Sequence, residues 1–209
     1  MRKRAFTLAQ ILIVIAVIAV IAVLTIIPLN KTVNEAAIRT AWKNDFALFN
    51  QAFDRILIAK NGTAKNMCIN EGCFKNAFTN YLSTVKECEP GVSDNCWHKD
   101  NEWHWMKGDD IAWGYRATAI LSNNSLASFH WYSPDCSYTD EDVNPAICGC
   151  IYVDVNGFNK PNIVGKDIFG FWVSEKKLTP FGASDYYYPA TDCTPSGYGI
   201  GCSVVVLKQ

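Results

Sequence analysis

Histidine is scarce in this sequence, with three residues among 209, and the common spacings of hydrolytic active sites are missing. There is no His-Glu-x-x-His pair for a metallohydrolase and no Gly-x-Ser-x-Gly turn for a serine hydrolase. The one Gly-x-Gly-x-Gly, at Gly197, Gly199 and Gly201, does not join a predicted strand to a predicted helix as a phosphate-binding loop would. The sequence therefore predicts a protein that is not an enzyme and has no organic cofactor.

An excess of charge of one sign is also lacking, because 19 basic and 20 acidic side chains give a net charge of −1. Proteins that bind nucleic acid present a broad basic surface, so no nucleic-acid partner is expected. The sequence has no internal repeat and no low-complexity linker. The roughly 145 residues beyond the N-terminal region are enough for one domain with its own core.

Cysteine, by contrast, is abundant, and the nine residues indicate an oxidising compartment. Short separations suggest local disulfides, with one ambiguous pair: Cys68 with Cys73, Cys88 with Cys96, Cys136 with Cys148 or Cys150, and Cys193 with Cys202. Because nine is odd, one thiol stays free or pairs with another chain. Cys148 and Cys150 share one face of a predicted strand, so one of them is the candidate for the unpaired thiol.

The N-terminal region has a long apolar run over residues 11–27, and no charged residue lies between Phe6 and Asn30. At about 1.5 Å per residue, a helix over residues 6–29 is long enough for a hydrocarbon core of ~30 Å. The basic residues at positions 2–4 predict a cytoplasmic N-terminus. We therefore expect a single-pass protein of the inner (cytoplasmic) membrane, in contact with lipid, with the rest of the chain outside the cytoplasm.

A secretory signal peptide would place small residues after the apolar run, but no Ala-x-Ala pattern occurs there. The small residue instead precedes the run, in the segment Arg4-Ala5-Phe6-Thr7-Leu8-Ala9. This segment resembles the processing signal of type IV pilins and type II secretion pseudopilins. The resemblance implies that a prepilin peptidase cleaves between Ala5 and Phe6, methylates the new amine and leaves the helix on the protein. An uncleaved signal anchor is the alternative.

Gln10 departs from that family, which places glutamate at this position to neutralise the amine of a neighbouring subunit. Gln10 can accept a hydrogen bond from the Phe6 amine of a neighbour, a charge-assisted contact of about 1.5–3 kcal/mol, but it cannot cancel the charge. Two interpretations follow. The chain is a minor subunit near a filament tip, or Gln10 is a variant tolerated in an ordinary subunit.

The remaining pattern predicts an α+β, pilin-like, disulfide-stabilised fold in which a long N-terminal helix, transmembrane in its first half, packs on a small antiparallel sheet. Asn61-Gly62 is a typical helix stop. A second helix is predicted over residues 74–85, and strands over residues 115–121, 126–132, 147–155, 168–173 and 203–207. The expected domains are a leader at 1–5, a transmembrane or filament-core helix at 6–29, its amphipathic continuation at 30–62, and an extracytoplasmic globular domain at 63–209.

Asp154 and Asn156 are followed by Gly157, a spacing found in calcium-binding loops, and these two residues are the candidate calcium ligands. Phe158 occupies the next ligand position, and no glutamate closes the loop. Calcium takes six or more oxygens, so the sequence favours an Asx turn in which these two side chains bond nearby amides.

Two further clusters lie between residues 96 and 113. Cys96, His98 and His104 lack the paired spacings of structural zinc sites. Four tryptophans form a Trp-rich loop that either binds a ligand or fills a small core, and the core interpretation is favoured. They are Trp97, Trp103, Trp105 and Trp113.

The resemblance thus implies a structural subunit, either a minor or an ordinary one, of a type IV pilus or type II secretion pseudopilus. Its expected partners are prepilin peptidase, other pilin or pseudopilin subunits and membrane lipid, and the expected end point is a periplasmic or extracellular filament. The alternative is a monomeric, membrane-anchored extracytoplasmic protein that binds a ligand through the Trp-rich loop.

Overall fold

The computed structural model describes residues 8–91, 95–113, 116–139, 146–183 and 188–209, with side chains of helix α1 described at 12–20 and from 34 onward. The chain divides into two compact units, Met1–Ala37 and Ile38–Gln209. The elements of the described residues are α1 (Leu8–Ala59), α2 (Glu71–Thr79), β1 (Thr84–Cys88), β2 (Ala117–Leu121), β3 (Leu126–Trp131), β4 (Gly149–Asp154), β5 (Ile168–Val173), β6 (Leu178–Pro180), a 3₁₀ turn (Ala190–Asp192) and α3 (Cys202–Lys208).

Helix α1 ends where the Asn61-Gly62 pair predicts. Asn61 and Gly62 have φ angles of 57° and 84°, a left-handed conformation that stops a helix and that glycine adopts without strain. The amide of Gly62 donates to the carbonyl of Leu57 at 2.7 Å, which satisfies one of the last free carbonyls of the helix.

The six strands form one antiparallel sheet in the order β1-β2-β3-β4-β5-β6, so strands that are consecutive in sequence pair with each other. Residues 122–125 make the turn between β2 and β3, with Asn124 at a φ of 69°. Ile151 of β4 lies opposite Phe129 of β3 and Phe171 of β5. These three residues point to the same face, because side chains alternate along strands.

That face packs against the second-unit part of α1 and against α2. Trp42 stacks on Phe169 with ring centroids 5.2 Å apart, and Phe49 meets Phe171 at 5.1 Å. The indole Nε1 of Trp42 donates to the carbonyl of Ser203 at 2.9 Å, so its one polar atom is satisfied inside the core.

The opposite face of the sheet carries a second, aromatic core. Tyr152 and Trp172 alternate with the residues of the first core along β4 and β5, and both pack on Phe181. Since both faces are covered, every residue of β4 and β5 is buried.

The predicted fold class, a long N-terminal helix with a transmembrane first half on a small sheet, is wrong. The second unit, Ile38–Gln209, which we call the folded unit, is sheet-rich: its described residues form six strands in one sheet and a few short helices. Two segments that carry no strand prediction, β1 and β6, add an edge strand at each side and make the sheet larger than expected.

The predicted single-pass membrane localisation is also wrong. Across the described residues, no helix combines enough length with enough apolar character to cross a membrane. From Glu35 onward α1 carries charged residues, among them Arg39 and Lys43.

In two segments the secondary structure differs from the predicted type. The helix expected over residues 74–85 ends at Thr79, and β1 follows, because Glu87 and Cys88 pair with Ala119 and Thr118 of β2. The strand expected over residues 203–207 is helix α3 despite its valines. Tertiary contacts override β-propensity there, since the Ser203 hydroxyl accepts a hydrogen bond from the Gly170 amide at 3.0 Å.

Candidate functional sites

The predicted processing junction, Ala5 and Phe6, lies outside the described residues. Gln10 lies within α1, but its side chain is outside the described part. The neighbouring stretch is described: seven large aliphatic residues between 12 and 20 are each 52–63% exposed. Ala16 and Ala19 complete the stretch and are exposed as well. Consecutive helical residues are ~100° apart, so the exposed apolar surface covers all sides of α1 here. We call residues 12–20 the apolar segment.

The second-unit part of α1 contains a buried carboxylate that the sequence analysis missed. Asp45 is fully buried, and its two oxygens accept hydrogen bonds from Asn123 Nδ2 and Ser125 Oγ, both at 2.6 Å. Burial raises the pKa of Asp45, and the two hydrogen bonds oppose that rise. Asp45 ties α1 to the β2–β3 turn. Its position between Trp42 and Phe49 on the apolar face is the sequence signal for this role.

Asp154 ends β4 and starts the Asx turn that the sequence favours. Its Oδ1 accepts from the amide of Asn156 at 3.1 Å, and its Oδ2 lies 2.7 Å from Nε2 of His98. Gly157 follows with a φ of 70°, and a Cβ there would lie 2.6 Å from the carbonyl oxygen of Asn124. The close approach of the β2–β3 turn explains why this position requires glycine.

Asp167 faces Asp154 and organises the loop before β5. Its carboxylate accepts from the amides of Asn162 at 2.8 Å and Ile163 at 2.7 Å, and from Nδ2 of Asn156 at 3.3 Å. Burial raises the pKa of Asp167, and it raises that of Asp154 to about 6. These oxygens are already engaged by protein donors. In the parts of the chain that the structure describes, no three His, Cys, Asp or Glu residues are grouped to hold a metal ion.

The three residues considered as zinc ligands each interact with a different partner. Cys96 forms a disulfide with Cys88, so its sulfur is not available as a thiolate ligand. His98 bonds Asp154, and Nδ1 of His104 lies 2.8 Å from Oδ1 of Asp110.

The Trp-rich loop is part of the aromatic core. Trp103 is buried and meets Trp113 at 5.1 Å and Trp97 at 5.5 Å between ring centroids, both edge to face. Trp105 packs on Tyr198 at 5.4 Å. The four indoles therefore complete the second core, the favoured interpretation of this loop.

A cavity of about 230 Å³ opens between α1, the α2–β1 connection and the β2–β3 turn. Its lining combines aliphatic, hydroxyl and amide groups with the guanidinium of Arg55, a set that selects no single class of ligand. The lining residues are Leu48, Gln51, Ala52, Arg55, Tyr81, Leu82, Ser83, Leu121, Ser122 and Asn123.

All nine cysteines lie in the described residues. The structure contains the disulfides Cys88–Cys96, Cys136–Cys148 and Cys193–Cys202, each of which the spacing suggests. Cys150 is a buried free thiol whose Sγ lies 3.5 Å from the hydroxyl of Tyr132, and burial raises its pKa to about 12. Cys68 and Cys73, which the spacing also suggests as a pair, are free thiols.

Comparisons with protein-family models, with curated proteins and with solved structures give no match for this chain. Among the described residues, the apolar segment is the longest run of exposed large hydrophobic side chains.

Proposed function

We propose that this chain is a structural, non-enzymatic subunit of a filament of the type IV pilus or type II secretion pseudopilus class. It is processed between Ala5 and Phe6 and assembles through the N-terminal part of α1. The observation that carries the proposal is the apolar segment, in which seven large aliphatic side chains are exposed around the whole helix.

The free energy available from covering this segment is large. Full burial of one large aliphatic side chain contributes about 1.5–3 kcal/mol, and these seven are little more than half exposed. Covering them contributes on the order of 5–10 kcal/mol. That amount is comparable with the total stability of a domain. A contiguous apolar surface of this kind is typical of an interaction site.

Helices from other copies of the chain suit this surface better than a flat or grooved partner. A groove covers one face of a helix, whereas the apolar segment needs cover on every side. A bundle of equivalent helices supplies such cover, and Ala16 and Ala19 allow the backbones of neighbours to approach closely. Gln10 then serves as hydrogen-bond acceptor for the Phe6 amine of a neighbouring subunit.

The test is the mass of the N-terminal peptide in native cells, measured in sheared material and in cell bodies. The proposal expects a peptide that starts at methylated Phe6 and is present in the sheared fraction. Ala5→Leu should block cleavage and remove the protein from that fraction, whereas the matched control Lys3→Arg should not. A peptide that still begins at Met1 or Arg2, with no protein in the sheared fraction, would contradict the proposal.

A further inference from the structure

The two free thiols Cys68 and Cys73 are neighbours in space. Cys68 is buried and Cys73 is partly exposed, and Cys73 lies close enough to Cys68 to raise the pKa of its thiol. The Cys73 thiol also donates to the carbonyl of Met67, with a sulfur–oxygen distance of 3.6 Å. Cys73 therefore lies against the segment that carries Cys68, and its exposed side is accessible to a reagent.

Local structure fixes Cys73 in this position. Asn70 is the N-cap of α2, and its side-chain oxygen accepts from the amide of Cys73 at 2.8 Å. The carbonyl of Asn70 accepts from the amide of Phe74 at 3.0 Å. The cap holds the first turn of α2 so that Cys73 faces back toward residues 66–69.

The segment that carries Cys68 is fixed independently. Residues 60–70, which we call the strap, join α1 to α2. The amide of Ala64 donates to the carbonyl of Glu175 at 2.9 Å, and the amide of Asn66 donates to the carbonyl of Pro134. Lys65 adds an ion pair with Glu175 at 3.0 Å. Since both ends of the pair are held, little conformational entropy opposes a bond between the two sulfurs.

Cys150 provides the contrast within the same protein. It is a free thiol like the other two, but it is 1% exposed and its sulfur contacts the hydroxyl of Tyr132. Cys136 and Cys148 already form a disulfide nearby. Cys150 has the properties of an inert core thiol, whereas Cys68 and Cys73 form an adjacent pair with one accessible member.

We propose that Cys68 and Cys73 are a reversible dithiol that closes to a fourth disulfide by exchange with an external low-molecular-weight disulfide. This inference does not depend on the proposed filament. In the first step the Cys73 thiolate attacks one sulfur of the external disulfide, and the other sulfur leaves as a thiolate. In the second step the Cys68 thiolate attacks the Cys73 sulfur of the mixed disulfide and expels the remaining external thiolate.

The electrons and protons balance in these two steps. Cys68 and Cys73 lose two electrons and two protons, and the external disulfide gains them to become two thiols. Burial and the Cys73 contact raise the pKa of the Cys68 thiol. The second step should therefore become faster as the pH rises, because the attacking species is the thiolate. The new bond would tie the strap to the first turn of α2.

The experiment titrates the full-length protein in buffers of reduced and oxidised glutathione. Samples are quenched in acid, unfolded, alkylated with N-ethylmaleimide and analysed by intact mass and peptide mapping. We expect three alkylated thiols in reducing buffer and one in oxidising buffer, with a linked Cys68–Cys73 peptide and the other three disulfides unchanged. Three alkylated thiols in every buffer, or a lasting glutathione adduct on Cys73 beside a free Cys68, would overturn the proposal.

Single variants separate the two steps. Cys68→Ser should stop at a glutathione adduct on Cys73, and Cys73→Ser should leave Cys68 unmodified in the folded protein. The matched control Cys150→Ser should still close the pair and show two thiols falling to none. Reaction of Cys68 with glutathione in Cys73→Ser at the wild-type rate would overturn the order of attack and the role of Cys73 as the accessible member.

Discussion

Helix α1 contains two stretches that are rich in apolar residues and that have very different surroundings. In the apolar segment every side chain is apolar, and all are exposed. In the second-unit part of α1, apolar residues recur every three or four positions, and those on one face are buried, among them Trp42, Phe49 and Ile56. A sheet can cover one face of a helix, and so the patterned stretch is buried within its own chain.

The difference shows that pattern rather than apolar content decides whether a chain can bury a helix by itself. A helix that is apolar on all sides needs partners on all sides. The folded unit even places a carboxylate, Asp45, within the buried face, because the β2–β3 turn supplies two donors for it. The apolar segment has no polar group of this kind in its side chains.

The largest expected effect concerns the exposed stretch. The double variant Ile15→Asn/Ile18→Asn should abolish recovery of the protein in sheared material, because two amides would have to be buried among apolar helices. The control Ile15→Leu/Ile18→Leu keeps apolar surface and should still assemble. Urea unfolding of the folded unit should be unchanged in both variants. Normal assembly of the asparagine variant would show that the apolar segment is not the assembly surface.

The second effect concerns the buried stretch. Trp42→Ala removes the stack on Phe169 and leaves the carbonyl of Ser203 without its donor. The free energy of unfolding should fall by about 3–5 kcal/mol, measured by urea denaturation. Leu48→Ala, on the exposed side of the same helix, is the control and should cost well under half as much. Equal losses in the two variants would contradict the assignment of the buried face.

Sequence patterns predict the local features of this fold well. Asn61-Gly62 marks the end of α1, and the strands over 126–132 and 168–173 lie at β3 and β5. Short separations also suggest the three disulfides that the structure contains. Each of these features depends on turn chemistry, alternation or proximity along the chain, which a single sequence displays.

Features that depend on distant contacts were missed or wrong. Val85 fits the face of the predicted second helix, but its segment pairs with β2 as a strand. The valines of α3 predict a strand, but contacts with β5 hold them in a helix. The tie between Asp45 and Ser125 joins residues 80 positions apart, and nothing in either local pattern identifies the partner.

The third effect is a pH dependence of the free energy of unfolding, which arises from Asp154 at the end of β4. Burial raises the pKa of Asp154 to about 6 from an ordinary value of 3.8. The folded state therefore holds this proton more tightly than the unfolded state. The stability that it contributes is fully present below pH 3.8 and is lost as the pH rises through about 6. The loss should be about 3 kcal/mol, since one unit of pKa corresponds to about 1.4 kcal/mol.

Urea unfolding at pH values from 4 to 7 measures the contribution of Asp154. That contribution is the difference in the free energy of unfolding between the wild type and Asp154→Asn, whose neutral amide does not titrate. Asp135→Asn is the control, and its profile should run parallel to that of the wild type from pH 4 to 7, because hydrogen bonds lower the pKa of Asp135 to about 2. Stability from Asp135 is present above its unfolded pKa and is lost as the pH falls toward about 2. Parallel pH profiles of the wild type and Asp154→Asn would refute the buried titration.

The smallest effect tests the polar contact within the buried face of α1. Asp45→Ala leaves the buried Ser125 hydroxyl without its acceptor and should lower the free energy of unfolding by about 2 kcal/mol. Asp54→Ala, at an exposed position of the same helix, should change it by less than about 0.5 kcal/mol. Because burial raises the pKa of Asp45, the folded state holds the proton more tightly than the unfolded state, and the cost of Asp45→Ala should be smaller at neutral pH than at acidic pH. A cost that rises with pH would mean that the ionised carboxylate is the preferred partner of the β2–β3 turn.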